Sequence, residues 1–467
     1  MTVPDQAPLR QSRTRNRRAA ASGHLPVLQP NVAGIDLGSC EHWVRGPIRP
    51  DGQPNLKTFK TTTGQLKELA KWLLDQSVES VAMESTSVYW IPVYELLQAG
   101  GIEVVLVNAR RLHNVPGRKT DMADCQWLQL LHGCGLLRGS FRPGDAICRL
   151  RALHRQLANF VAERSRTVQW MQKALDQINV QVHRAVANLT GTTGMAIVRA
   201  IVAGERDPLS LAALRDRRCH KSQGQIAEHL TGNWRSEHLF NLQAALHVYD
   251  TLQSLIQSYE TRILAEIEAI QPPDRQEEPL PRHPNPEKQR SLKARGEQET
   301  RTVLWRFTGS DLTRIDGIGT GAALVILTEV GMDLTSFPSE KHFVSWLRLS
   351  PRVSMSAGKP LGKKRNGTGA TRIAGVLRMA AVSLKHSRSA LGAAYRRIAR
   401  HKGAAVAVFA IARKLAQLIY RMLRYGQDYL DIGEKAYEDR YLARRLSALR
   451  DSATSLGFTL TEATPAG

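Results

Sequence analysis

Acidic side chains are in short supply in this chain: its 467 residues hold 42 Asp and Glu against 65 Lys and Arg, a formal charge of +23. Cysteine is scarcer still. The five present, Cys40, Cys125, Cys134, Cys148 and Cys219, stand singly, with no C-x-x-C pair and an odd total, which excludes a disulfide framework or a zinc knuckle as the organising device. No uninterrupted apolar run reaches the roughly 18 residues that a membrane-spanning helix needs. The basic N-terminal stretch is not followed by the apolar h-region of a secretory signal. A soluble intracellular protein is the expectation. What is present in excess is positive charge, which a polyanion offsets, nucleic acid ahead of an anionic membrane surface.

The length implies two or three domains at roughly 100–200 residues each. Residues 1–30, with Arg10, Arg13, Arg15, Arg17 and Arg18 among small and polar residues, read as a basic disordered tail, or as an arm that condenses on phosphates. Residues 31–140 carry a mixed α/β pattern, with strands expected at 32–37, 43–46, 56–60, 79–84 and 103–107 and helices at 62–76, 89–99 and from Asp121 to about Leu137. Residues 146–270 are a helical, coiled-coil region. Leu150, Leu153, Leu157, Phe160, Val168, Met171 and Leu175 recur at helical spacing from 146 towards 188, interrupted by Arg164, and a second run extends from Leu239 to Ile270. The two runs pair with each other or with a copy in another protomer, so a homo-oligomer is expected. Between them, 189–232 reads as smaller helices. Residues 271–300, rich in proline and charge, read as a disordered linker. Residues 301–433 form a mostly helical basic domain, followed by a terminal helix and tail over 434–467, unstructured after about 451.

Four acids stand where chemistry could use them. Asp36 in GIDLG and Glu84 in VAMES end apolar strands, where a charge is excluded unless it is paired or binds metal. Asp121 and Asp124 in KTDMAD share one helix face, their Cβ atoms roughly 5–6 Å apart. Four converging carboxylates need cations, and hard oxygen ligands select Mg²⁺ or Mn²⁺. Two such ions, about 3.5–4 Å apart, would serve phosphodiester chemistry. Taken one at a time, Asp36 is also a turn former beside Gly38, and Asp121 a helix N-terminal residue favoured by the dipole.

Towards the C-terminus, LTRIDGIGTGAALVILTEVG has the pattern of a helix-hairpin-helix, in which Gly317 and Gly319 allow a tight turn and the second helix offers N–H groups to a phosphate. A Gly-rich packing turn is the plainer reading. The following segment carries Arg348, Arg352, Lys359, Lys363, Lys364, Arg365 and Arg372 among glycines and serines, a flexible cationic loop suited to a nucleic-acid backbone. GKPLGKK is not a phosphate-binding nucleotide loop: three residues, not four, separate its glycines, and no Ser or Thr follows the lysine.

GIDLG, the segment from Glu84 to Trp90 and KTDMAD together resemble the DEDD-type insertion-sequence transposases, and the resemblance continues into the last domain. It implies a RuvC-like, ribonuclease-H-like first domain and a metal-binding tetrad of Asp36, Glu84, Asp121 and Asp124. In that family a serine following a G-L-x-P-R segment is the covalent nucleophile. Leu349-Ser350-Pro351-Arg352 aligns with the segment and puts Ser356 at that position, with Ser354 as a competitor. The chain departs from the pattern at Ser87 and Arg348, where the family usually has glycine, and Ala357 separates Ser356 from Gly358. The resemblance further implies strand cleavage, exchange and rejoining of donor and target DNA through a phosphoserine intermediate, in a Mg²⁺-dependent composite site. It also implies a structured guide, the bridge RNA, a dimer or tetramer, and a bacterial, nucleoid-associated location. Two alternatives stay open: a metal-dependent junction-resolving nuclease that uses water, and a non-enzymatic nucleic-acid-binding protein.

Overall fold

The computed structural model describes residues 26–49, 53, 55–85, 87–108, 121–270, 279–350, the strands 354–356 and 359–361, and 371–461. The chain divides into two compact units, Met1–Phe141 and Arg142–Gly467.

The first unit is built on a five-stranded sheet. Its elements run β1 Val32–Leu37, β2 Glu41–Arg45, β3 Leu56–Lys60, α1 Thr63–Leu74, β4 Ser80–Glu84, α2 Trp90–Ala99, β5 Glu103–Val107 and α3 Asp121–Gly133. The spatial order is β3-β2-β1-β4-β5. The first three strands form an antiparallel meander, and β4 and β5 are added in parallel beside β1, each reached through a crossover that the parallel arrangement requires. Strand alternation sorts the central residues to two faces. Ala33, Ile35, Val81 and Met83 face the core under α1 and α2 with Leu69, Leu73, Val93 and Leu97. Ala82 and Val107 pack with Leu128 of α3 on the other face.

Two features hold α3 close. Gly34 has no side chain, and a methyl group there would lie 2.3 Å from the Cys125 carbonyl oxygen and 2.5 Å from the Gln129 nitrogen. At the far end Ser80 Oγ and His132 Nε2 are 2.8 Å apart in a buried hydrogen bond. The N-terminal segment joins here too. Leu28 and Gln29 donate to the Gly133 carbonyl at 2.8 and 2.9 Å, so the reading of a free tail to residue 30 fails over 28–30. Residues 1–25 lie outside the described residues. α3 stops at Gly133, four residues short of the expected Leu137.

In the second unit α4 Asp145–Gln177 is followed by four short helices, α5 Val182–Ala185, α6 Thr192–Val202, α7 Pro208–Ala213 and α8 Gln223–Glu228, and then by α9 Ser236–Ala269. The long helices α4 and α9 pair within the chain and antiparallel. Phe160 meets Tyr259 edge to face at 5.3 Å, and Arg164 donates to Gln253 Oε1 at 2.7 Å. The polar break in the seam is therefore a matched break. α4 ends earlier than the apolar pattern implied, because Asn179 takes a left-handed φ of 59° and Ile178, Val180 and Val182 turn into the core beneath α6 and α8.

The remaining elements are α10 Pro286–Ala294, α11 Gln298–Thr308, α12 Thr320–Val330, α13 Glu340–Trp346, a hairpin of β6 Ser354–Ser356 and β7 Lys359–Leu361, α14 Arg372–Ser383, α15 Ala390–Lys402, α16 Ala404–Tyr425 and α17 Gly433–Ser455. The disordered linker expected over 271–300 does not hold from 279 onward. Arg301, 1 % exposed, needs partners for a buried guanidinium. It pairs with Asp311 Oδ2 at 2.6 Å and donates to the Pro281 carbonyl at 3.0 Å and Gln289 Oε1 at 3.2 Å. Lys288 Nζ donates to the Thr313 carbonyl at 2.6 Å. Polar ties, invisible to an apolar pattern, order the proline-rich stretch; 271–278 lie outside the described residues. The regions 146–270 and 301–433, read as separate domains, share this one unit. The tail expected after 451 is helical to Ser455.

Candidate functional site

The α/β domain sets its acids by register. β1 and β4 are parallel neighbours whose last registered pair is Ile35 with Met83. One residue further along each strand stand Asp36 and Glu84, at the C-terminal ends of adjacent central strands about 4.8 Å apart. Their even-numbered positions put them on the Gly34–Ala82 face that α3 covers. Asp124 is on the first turn of α3, half-buried, and Cys125 follows it, fully buried. Burial pushes the Cys125 thiol up to about 12, reinforced by the negative charge of Asp36 and opposed by Arg45. Asp36 is thus within electrostatic reach of the start of α3. Asp121 opens the same helix, with its side chain outside the described residues. Among the described residues no three His, Cys, Asp or Glu side chains come together closely enough to hold an ion. The donor chemistry nonetheless suits a hard divalent cation: carboxylates at two strand ends and at a helix start.

The turn after Glu84 carries one of the two expected departures. Ser87 adopts φ 55°, and Arg348, at the other, adopts φ 60°. Both are left-handed conformations that favour glycine. The turns keep the shape a glycine would give, at the cost of some backbone strain.

In the helical unit the expected helix-hairpin-helix is incomplete. A single 3₁₀ turn, Leu312–Arg314, stands where its first helix was expected, followed by Gly317 at φ 86° and by α12, whose N-cap is Gly319. A side chain at Gly317 would meet the Ala380 carbonyl at 3.0 Å and Leu384 Cγ at 3.2 Å, so this glycine makes a packing turn against α14. Gly319 has open space around it.

The cationic loop is not wholly irregular. Ser354 pairs with Leu361, Met355 with Pro360 and Ser356 with Lys359, so the candidate nucleophile sits on a hairpin opposite a lysine. Arg352, Lys363, Lys364 and Arg365 lie outside the described residues. Arg372, read as a nucleic-acid contact, has its guanidinium 3.9 Å from Glu329.

Glu329 is the residue that sequence reasoning missed. Its side chain is 9 % exposed, and Arg155 of α4 grips it with two hydrogen bonds, 2.9 and 2.7 Å. Arg151 donates to its backbone carbonyl and lies 3.4 Å from its carboxylate. His154 beside it is buried, and desolvation lowers its pKa. Arg372 starts α14, directly after the cationic loop, so Glu329 ties the exit of that loop to the long helix. Its place at the end of an apolar helix, ILTEVG, was the available signal.

Carboxylates at adjacent strand ends of the α/β unit, and a serine paired with a lysine on a hairpin of the basic helical unit, are groups suited to phosphodiester chemistry. Two family models match the chain. One, a transposase domain of the DEDD IS110 type, covers residues 33–180; the other, described as transposase IS116/IS110/IS902 family, covers 309–396. The chain carries IS110-family transposase domains and is a DNA transposase or recombinase. No curated protein matches it. No helix among the described residues is long and apolar enough to cross a membrane.

Proposed function

We propose that this protein is the recombinase of an insertion sequence that cuts, exchanges and rejoins DNA strands through a covalent phosphoserine at Ser356, guided by a structured RNA. The observation that carries the reading is the placement of Asp36 and Glu84 side by side on β1 and β4, facing the helix that bears Asp121 and Asp124. The strand order β3-β2-β1-β4-β5, with its antiparallel meander and parallel additions, supports a ribonuclease-H-like, RuvC-like domain around them.

Asp36, Glu84, Asp121 and Asp124 would hold Mg²⁺ or Mn²⁺, which polarises the scissile phosphate and stabilises the leaving oxygen. The chain's own residues do the rest. Ser356 Oγ attacks phosphorus, forming an Oγ–P bond as one strand P–O bond breaks; the hydroxyl proton leaves to solvent and the departing strand oxygen takes one up. Rejoining reverses this, with a hydroxyl of the new strand displacing serine. One phosphoester replaces another at each step, so no ATP is needed. Lys359, opposite Ser356, and Arg352, Lys363, Lys364 and Arg365 supply cations for the phosphate charge, while Gly317 and Gly319 shape the turn before α12. Oligomerisation as a dimer or tetramer belongs to the same reading, as does a guide RNA, which would let base pairing choose the site.

End-labelled donor DNA tests the chemistry. A protein-linked product that vanishes in Ser356→Ala is expected; Ser354→Ala abolishing it instead would move the nucleophile, and free 5′-phosphate ends from Ser356→Ala would replace the reading by a water-using nuclease. RNA extracted from the purified protein is expected to be one discrete species, mapping beside the coding region; random RNA would remove the guide from the proposal.

A further inference from the structure

Both family matches end before Arg397, and a cationic cleft of the helical unit begins there. α15, α16 and α17 enclose a cleft of about 470 Å³ lined by Arg397, Lys414, Tyr437, Tyr441, Arg444 and Arg445. The Arg397 guanidinium lies over the Tyr441 ring at 4.0 Å and over Tyr437 at 5.0 Å, and Lys414 Nζ is 5.6 Å from the Tyr437 centroid. Tyr437 is itself buried, so the rings fix the guanidinium in place and less rotamer freedom remains to be given up on binding. Among the described residues no carboxylate forms an ion pair with any of these four cations, although Glu438 and Asp439 are on the same helix as two of them. Lys414 is held below its ordinary value by desolvation and by the like charges of Arg397 and Arg444. Four cations converging without an acid repel one another, and an anion placed among them relieves that repulsion.

We propose that this cleft binds the phosphodiester backbone of a nucleic acid, with Arg397 pre-set on its two tyrosines and Lys414, Arg444 and Arg445 closing on the phosphates. The choice of polyanion rests on the transposase reading. All six lining residues fall outside both matched segments, so the cleft adds a binding surface to the unit that carries Ser356. Tyrosines beneath arginine, in place of acids, keep the guanidinium oriented while leaving its charge uncompensated.

Binding by the full-length protein is measured across a salt series with fluorescein-labelled duplex DNA and, separately, labelled structured RNA. In Arg444→Gln/Arg445→Gln the slope of log affinity against log salt is expected to fall by about 0.9 for each phosphate no longer neutralised on duplex DNA, and by about 0.7 on single-stranded segments. Arg215→Gln/Arg217→Gln, which removes two cations elsewhere in the same unit, is the control and should change the slope less. A second measurement needs no variant: acetylation of Lys414 in the wild-type protein, followed by mass spectrometry, should slow when the nucleic acid is bound. Protection by DNA or by RNA alone identifies which one occupies the cleft. Equal slopes in the two double variants, or a Lys414 acetylation rate unmoved by saturating DNA and saturating RNA, overturn the proposal. Neither readout depends on strand cleavage, so a failure of the recombinase reading shows separately, in the end-labelled assay.

Discussion

The two units solve opposite electrostatic problems. The α/β unit places two acids, Asp36 and Glu84, at the ends of adjacent strands, and it does so by backbone register: once Ile35 pairs with Met83, they have no freedom to be apart. The helical unit is crowded with cations and places them by side-chain pairing, as when Glu329 collects Arg151, Arg155 and Arg372 or Asp311 satisfies Arg301. Register is specified by local patterning, whereas ion pairs join residues 174 or 178 positions apart. The placement of Asp36 and Glu84 is thus robust to surface change and sensitive to backbone change, and the basic unit is the reverse.

The largest expected effect separates chemistry from folding in the first unit. Asp36→Asn and Glu84→Gln should each lose several kcal/mol of transition-state stabilisation, about 10³-fold in cleavage rate, with an unchanged circular dichroism spectrum; a cleaving Asp36→Asn protein would break the assignment. Next comes the helical unit's dependence on ion pairs. Arg301→Ala leaves Asp311 buried without its cation and should cost about 3–5 kcal/mol in denaturant unfolding, with protease sensitivity appearing around 281–289. Backbone dependence in the α/β unit is tested by Gly34→Ala, which drives a methyl into α3 and should destabilise by about 1–3 kcal/mol. Gly321→Ala, which meets nothing within 4 Å, should be close to neutral.

Acid sharpens the comparison from another side, since both units bury histidines. His42 and His132 in the first, and His154 and His283 in the second, all have pKa values lowered from 6.5, with burial as the leading cause. Below about pH 6.5 the unfolded chain takes up protons that the folded chain refuses, so stability should be flat above that pH and fall beneath it until the folded histidines protonate. Thermal melts that stay level between about pH 7 and pH 5 would contradict these assignments. The smallest effect is expected at the turn after Glu84: Ser87→Gly relieves a left-handed residue and should stabilise by about 1 kcal/mol or less.

Much of the α/β unit was legible in advance. Strands at 32–37, 56–60 and 103–107 stand where short runs rich in apolar and β-branched residues put them, because a strand buried in a sheet is written as such a run. The two long helices were legible for the same reason, with a period near 3.6. What was not legible is instructive. The proline-rich 279–300 stretch looked disordered because its order comes from Arg301 and Lys288 reaching backbone carbonyls, which no apolar pattern encodes. Val182 looked like a continuation of α4 because the break at Asn179 is a single left-handed residue. Glu329 carried no readable signal of its pairing role because its three arginines are far away in sequence.

The sequence by itself determined the sign of the charge, the apolar periods and which acids and serines were available for chemistry, since these depend on residue type and short-range spacing alone. Only the tertiary structure decided which acids share a face, which arginines are already spent on Glu329 and Asp311, and which, as around Tyr437 and Tyr441, have no carboxylate partner among the described residues. The reason is physical: a charge's partner is set by distance in space, and Glu329 takes partners 174 and 178 positions away as readily as Asp311 takes one ten positions away.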